Sequence, residues 1–415
     1  MHNCKMAKSP GTYVARSLGP VIRRACREFP VVVVTGPRQS GKTTLLRRLF
    51  PDHRYLSLDA PDLQAAFAAD PRALLRQYPP PAVFDEVQRV PELLTYVKEQ
   101  VDAHRHRSGQ YVLTGSQNLL LMEGVSETRA GRAAILRLLP FSHRELDRAP
   151  ARRLPWEIVS RRRGSLPGPD FLWRNILRGG YPEVALDANR DFALWQRSYM
   201  QTYVERDLRT LRQVGDLTQF QDFLRALAAR SGQLLNLTDL SRDLGIALNT
   251  AKAWLSALEA SFQVVVLRPY FANIGKRLVK TPKVYFTDTG MLCFLTGLRD
   301  PDAAAFGPMN GTLFETAVLS EILRTYWHRG EEPRVHFWRT SAGSEVDFVV
   351  EHGETLVPIE VKLSATPRPA MASAIASLRA DLGAKVSSGY VIHQGEVEWA
   401  LGPHAVALPF ARLWR

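Results

Sequence analysis

Three groups of residues in this 415-residue chain have the types and spacing to do chemistry. The first is Gly36-Pro37-Arg38-Gln39-Ser40-Gly41-Lys42-Thr43, followed by Thr44. It fits the pattern G-x-x-x-x-G-K-[ST], in which glycines let consecutive backbone N–H groups face a phosphate. In that pattern Lys42 reaches the β- and γ-phosphates and the Thr43 hydroxyl holds Mg2+. The second is Asp85-Glu86, closing the apolar run Ala82-Val83-Phe84. One acid at a strand tip can hold the water shell of Mg2+ and the next can polarise an attacking water. The third is Asp347 with Glu360 and Lys362, joined by Glu315 on a preceding helical pattern. Carboxylates bind a hard divalent cation, and a nearby lysine can orient water or offset phosphate charge, so Asp347 and Glu360 are the expected ligands of a second metal.

These groups need particular elements behind them. Val31-Val32-Val33-Val34 reads as a buried parallel strand, and Thr44-Leu45-Leu46-Arg47-Arg48-Leu49 as a helix, so the glycine loop lies between strand and helix. A helix is expected over residues 16–25, a strand at 55–59, one helix at 62–77 and another at 92–101. A further buried strand, 110–113, ends in Thr114 and Ser116, either of which could sense the γ-phosphate or position water. Arg129 or Arg132 could stabilise transition-state charge, in its own subunit or a neighbour's. Alternating strands and helices to about residue 146 predict an α/β layer with a mostly parallel sheet.

Beyond it, residues 148–169 are rich in Arg, Pro and Gly and include Arg161-Arg162-Arg163, which reads as an exposed linker. A long helix is expected from Asp191 to Val214. Residues 237–246 read as a capped helix and glycine turn, Asn249-Thr250 as the cap of a second helix, and 262–267 as a strand; together they suggest a winged helix. Its second helix carries one basic residue, Lys252, whereas Lys276, Arg277, Lys280 and Lys283 offer better phosphate contacts. In the last third, strand alternation puts Glu345 with Asp347 and Glu360 with Lys362, so neighbouring strands can converge Asp347, Glu360 and Lys362. The expected units are 1–147, 148–215, 216–300 and 301–415.

Composition narrows the partners. Fifty-four Lys and Arg against 41 Asp and Glu give a net charge of +13, which favours a polyanion: DNA, RNA or nucleotide. No apolar stretch approaches the length that spans a bilayer, and the first residues lack a signal-peptide core, so no membrane partner is expected. Three scattered cysteines, Cys4, Cys26 and Cys293, point away from a disulfide framework and toward a reducing cytoplasm.

The first 145 residues resemble AAA-type P-loop ATPases, with Gly36 to Thr43 in place of Walker A and Val83 to Glu86 in place of Walker B. The stretches Gly-Pro-Arg-Gln-x-Gly-Lys-Thr-Thr, Phe-Asp-Glu-Val-Gln-Arg-Val-Pro and Leu-Thr-Gly-Ser are similar to those of a widespread prokaryotic ATP-binding family with a C-terminal domain of unknown function. Residues 179–183 and 203–207 look like its middle segment. The end resembles the PD-(D/E)xK nucleases, with Glu315 as helix acid, Asp347, and Glu360-x-Lys362, although Glu-Val-Asp replaces Pro-Asp. The resemblance implies ATP and Mg2+ as cofactors, ATP hydrolysis, and a restriction-endonuclease-like C-terminal α/β fold. DNA or RNA and a second copy of the chain are the candidate partners.

Overall fold

The computed structural model describes residues 13–116, 132–149, 153–158, 166, 168–203, 217–270 and 280–415. Five strands build the N-terminal sheet: β1 (Val31–Thr35), β2 (Arg54–Ser57), β3 (Ala82–Asp85), β4 (Tyr111–Gly115) and β5 (Ala133–Arg137). They lie in the order β2-β3-β4-β1-β5, every pair parallel. All residues of β1, β3 and β4 are buried, which is why these strands read as unbroken apolar runs: helices cover both faces. Leu18, Ile22, Leu45 and Leu46, from α1 (Leu18–Glu28) and α2 (Lys42–Leu49), pack with Val32 and Val34 on one face; Val31 and Val33 belong to the core of the other. α1 stops at Phe29, held extended by Pro30.

The single helix expected at 62–77 is two, α3 (Pro61–Ala69) and α4 (Pro71–Gln77). Pro71 forces Asp70 out of helical geometry, and the Asp70 carboxylate caps the second helix at the Ala73 N–H. α5 (Leu93–Ala103) precedes β4.

In the middle of the chain the helix expected at 191–214 is described as Phe192–Thr202, capped by Asp191; the rest of that expectation, with Glu205 to Asp207, lies outside the described residues. Helices Leu217–Ala228, Leu237–Asp243 and Leu248–Ala260 lead into a two-stranded antiparallel sheet, β6 (Val264–Leu267) with β7 (Lys283–Phe286). Asn236 caps the second of these helices at the Thr238 and Asp239 N–H groups. The expected Asn249-Thr250 cap is not one: the third helix starts at Leu248, and Ala247 at its N-cap offers no side-chain bond.

The C-terminal sheet has the order β12-β13-β11-β10-β9-β8. β8 (Val335–Arg339), β9 (Glu345–His352) and β10 (Thr355–Lys362) are antiparallel; β11 (Gly389–His393) and β13 (Ala405–Pro409) continue parallel to β10, with β12 (Trp399–Ala400) antiparallel at the edge. The 19-residue helix Asn310–His328 is buried along nearly its whole length. One hydrophobic core joins Phe223 and Trp254 of the middle segment to Phe314, Phe337, Ile359 and Phe410 of the end.

The long helix also binds the N-terminal layer. Glu321 accepts from the His143 N–H at 2.8 Å and pairs with Arg144 at 3.3 Å, with both side chains almost fully buried. Trp414 and Arg415 close the same seam on Asp147. Removing one partner from a buried pair of this kind costs about 3–5 kcal/mol, because the other charge is left buried and unpaired. Among the described residues, no helix is long and apolar enough to cross a membrane.

Candidate functional site

The glycine loop follows the C-terminal end of β1, between β4 and β5. Gly36 has φ of +150°, and a Cβ there would lie 2.1 Å from the Leu138 carbonyl oxygen, so no other residue fits. Gly41, φ +94°, is the N-cap of α2 and turns the chain into the helix. Pro37 and Ser40 are buried, Arg38 is half-buried beside Asp59 at 4.0 Å, and Gln39 and Thr44 are exposed. The Lys42 ammonium donates to the carbonyls of Gly36 at 3.0 Å and Pro37 at 2.9 Å, which holds it across the loop's own backbone.

β3 delivers Asp85 to the same place. Its carboxylate accepts from Thr43 Oγ1 at 2.6 Å, from Thr114 Oγ1 at 2.8 Å and from the Tyr55 hydroxyl. Four segments meet on one buried acid: the loop helix, β2, β3 and β4. Thr114, a candidate sensor, therefore bonds the acid itself, while Ser116 lies 3.0 Å from Gln88 Nε2 and 3.5 Å from Glu86. Glu86 sits in left-handed backbone (φ 59°, ψ 44°), which costs a non-glycine residue about 1–3 kcal/mol and is retained where the surrounding structure holds it. The turn keeps the Glu86 side chain half-exposed beside Gln88, whose amide donates to it. Burial and the neighbouring Asp85 charge push the Tyr55 hydroxyl up, so it stays a donor to Asp85 at any ordinary pH.

Tyr55 belongs to no motif, and Gln88 lies in the Phe-Asp-Glu-Val-Gln-Arg-Val-Pro stretch with no role assigned to it from sequence. The strand pattern at 55–59 is the only sequence signal for Tyr55, and it says nothing about which strand lies alongside. Arg132 does not join the site. The Val31 N–H donates to its carbonyl and its guanidinium lies 2.6 Å from Asp102, which puts it at the start of β5. The loop follows the other end of β1, five residues on, about 15 Å away. Parallel strands put all their C-terminal ends on one edge, and Arg132 is on the opposite one. Arg129 lies outside the described residues.

The C-terminal acids converge around Asp347. Between β8 and β9 the register shifts: His336 faces Val349 and Trp338 faces Val346, so three residues of β9 span two of β8. This bulge falls at Asp347 and Phe348, and bulges re-aim side chains. Asp347 Oδ2 accepts the Val361 N–H at 2.8 Å and lies 3.8 Å from Lys362 Nζ, which is 2.5 Å from Glu360. Glu315, from the long helix, and Glu345 share Lys283 at 3.5 and 2.5 Å, and Tyr285 donates to Glu315. Lys283 corrects the sequence reading. It is buried and neutralises two acids, and so cannot serve as a surface phosphate contact. Lys276 and Arg277 lie outside the described residues, and Lys280 is exposed. One oxygen of the buried Glu360 has no hydrogen-bond partner. Among the described residues no three His, Cys, Asp or Glu side chains are arranged to hold a metal ion, and Asp347 and Glu360 both lie beside the Lys362 ammonium.

Burial and then the Asp347 charge push Glu315 up to about 7 and Glu360 up to about 8. The folded protein therefore holds these protons where the unfolded chain has released them. Stability from the cluster is greatest below the ordinary glutamate range and falls as pH rises toward about 8. The thermal midpoint is expected to drop between pH 5 and 8, and Glu360→Gln to flatten that slope. Equal slopes in wild type and variant contradict the arrangement.

Comparison with known proteins decides the family. A model described as AAA domain matches residues 28–147, and two described as domains of unknown function, DUF8612 and DUF4143, match 170–302 and 310–413. Uncharacterized protein Rv2008c of Mycobacterium tuberculosis and Uncharacterized protein Mb2031c of Mycobacterium bovis are each 32% identical over 390 residues, covering 94% of this chain and 82% of theirs. The chain belongs to their family. Its AAA match begins just before β1 and ends with Asp147, so the match encloses the whole parallel sheet and both motifs. Among solved structures, the Walker-type ATPase paby2304 of Pyrococcus abyssi is similar at 17% identity and TM-score 0.43, covering 67% of this chain and 94% of that one. The RuvB Holliday junction branch migration motor of Thermotoga maritima is similar at 19% identity and TM-score 0.29, covering 60% and 85%.

Proposed function

We propose that this AAA-type P-loop protein hydrolyses ATP and that its nucleotide state governs a C-terminal domain that contacts nucleic acid. The observation that carries the ATPase reading is the 2.6 Å bond between Thr43 and Asp85, which brings loop helix and acidic strand to one point, with Glu86 next in sequence. Backbone N–H groups of residues 36–43 and the Lys42 ammonium bind the phosphates. Thr43 and Asp85 are the residues that would hold Mg2+, and their shared hydrogen bond suits a pair of oxygen ligands. Bound there, the ion offsets charge on the phosphate oxygens. Glu86 takes the proton of the attacking water, with Gln88 and Ser116 orienting its carboxylate. Phosphate release from Mg-ATP by the full chain tests this reading.

The working unit for nucleotide is 1–147, with 148–215 and 216–300 as connecting and helix-strand segments and 301–415 as the effector end. A reducing cytoplasm suits Cys26 and Cys293, which are free thiols among the described residues. Nucleic-acid contact rests on the +13 charge. Affinity for duplex DNA is expected to fall steeply between about 50 and 200 mM salt as condensed counterions leave. A flat response, or no binding at low salt, assigns the charge to composition. The convergence of Asp347, Glu360 and Lys362 supports a nuclease-type end. A second reading, a nucleotide-controlled interaction module with a retired site, is favoured by Lys283 and Lys362 already filling the cluster.

A further inference from the structure

Arg16 lies outside every motif yet touches the glycine loop. It precedes α1, is buried, and spends its guanidinium on three different parts of the molecule. Nη1 donates to the Ser40 carbonyl of the loop at 2.8 Å, Nη2 to the Leu139 carbonyl, and Nε to Glu145 at 3.1 Å. The guanidinium also stacks on the Phe141 ring at 4.2 Å. Glu145 is fully buried; burial pushes it up, but Arg16 and His328 outweigh this and hold it ionised. Its second oxygen lies 3.2 Å from His328 Nδ1, and the Leu139 N–H donates to His328 Nε2 at 3.1 Å. That donation leaves the ring proton on Nδ1, close to the Glu145 carboxylate but not aligned for a hydrogen bond with it.

His328 is the last residue of the helix Asn310–His328. Thirteen residues earlier the same helix carries Glu315 into the acid cluster, a rigid span of roughly 20 Å at helical rise. A second contact runs in parallel. Leu138 packs its carbonyl against Gly36, and two residues beyond Leu139 the Phe141 carbonyl accepts from Arg324 of the long helix at 2.8 Å. Loop backbone and helix are thus joined by two routes, one through Arg16 and Glu145 and one through the segment 138–141. A loop that reshapes around a phosphate cannot move the Ser40 carbonyl without moving Arg16 or breaking its bond.

We infer that Arg16 is a positioning residue that couples nucleotide occupancy of the glycine loop to the position of the helix Asn310–His328, and through it to Glu315. This rests on the ATP-binding reading of the loop. Coupling between sites is reciprocal: nucleotide alters the helix, and a change at His328 alters nucleotide affinity. His328 itself is separated from the loop by Arg16 and Glu145, so a merely structural role leaves that affinity alone.

The test is hydrogen–deuterium exchange of the full chain with and without Mg-ATPγS, read beside calorimetric affinity. Nucleotide is expected to change exchange in residues 36–46 and also in 313–328. His328→Gln and Glu145→Gln are expected to shift Kd by about 5-fold or more, within the usual range of coupling, and to shrink the change in 313–328. Wild-type protein that binds ATPγS and responds in 36–46 but not in 313–328 overturns the coupling and leaves the ATPase reading standing. Wild-type protein that binds no nucleotide overturns both. Should either variant fail to fold, the wild-type exchange decides alone.

Discussion

Glu86→Gln is expected to bind Mg-ATP as the wild type does and to hydrolyse it roughly 100- to 10,000-fold more slowly, the usual contribution of a positioned general base. The amide keeps the shape of the side chain and its place beside Gln88 and Ser116, but cannot take a proton from water. Asp85, with Thr43, Thr114 and Tyr55 around it, is untouched, so the affinity for Mg-ATP survives. Single-turnover phosphate release separates binding from chemistry. Wild-type rates in the variant would move the base to another residue, and the nearest alternative, Asp85, already accepts three hydroxyls.

Lys42→Ala is expected to raise the Kd for ATP by roughly 100-fold or more, from the loss of charge-assisted contacts worth about 1.5–3 kcal/mol each. The variant leaves the buried Gly36 and Pro37 carbonyls without the donor that Lys42 supplies, at about 1–3 kcal/mol each where water does not replace it. A lowered thermal midpoint is therefore expected beside the weakened affinity, and circular dichroism separates loss of fold from loss of binding. Unchanged affinity by calorimetry contradicts the assignment of the loop.

The two motifs of the N-terminal layer were legible because their signals are local. Residues 36–43 encode a turn that only glycine at 36 and 41 permits, and an all-apolar strand before it can be only a covered one. The partners of Asp85 were less so. Tyr55 arrives from the neighbouring strand β2 with no spacing that marks it, and Gln88, in the turn beyond Glu86, bonds Glu86 rather than Asp85. Arg132 lies away from the loop of its own chain for a related reason: sequence gives proximity to a strand, but the edge of the sheet follows from which end of the strand the residue occupies. The helix break at Asp70-Pro71 was written in the chain, since Pro disfavours helix in the residue before it.

At the C-terminal end, alternation correctly brought Asp347, Glu360 and Lys362 together. It could not show the bulge at Asp347, nor that Lys283 enters from a strand of a different sheet and takes up two of the acids. Arg16 was illegible altogether. Its partners Ser40, Leu139 and Glu145 are 24, 123 and 129 residues away, and only the folded chain relates them.

On the proposed reading, residues 36–43 with Asp85 form a Mg-nucleotide site. A calorimetric titration of Mg-ATPγS into the wild-type full chain tests it most directly. Saturable binding at one site per chain is expected, weakened by chelating Mg2+ and lost in Lys42→Ala. No saturable binding up to millimolar nucleotide, or binding that Lys42→Ala leaves unchanged, contradicts it.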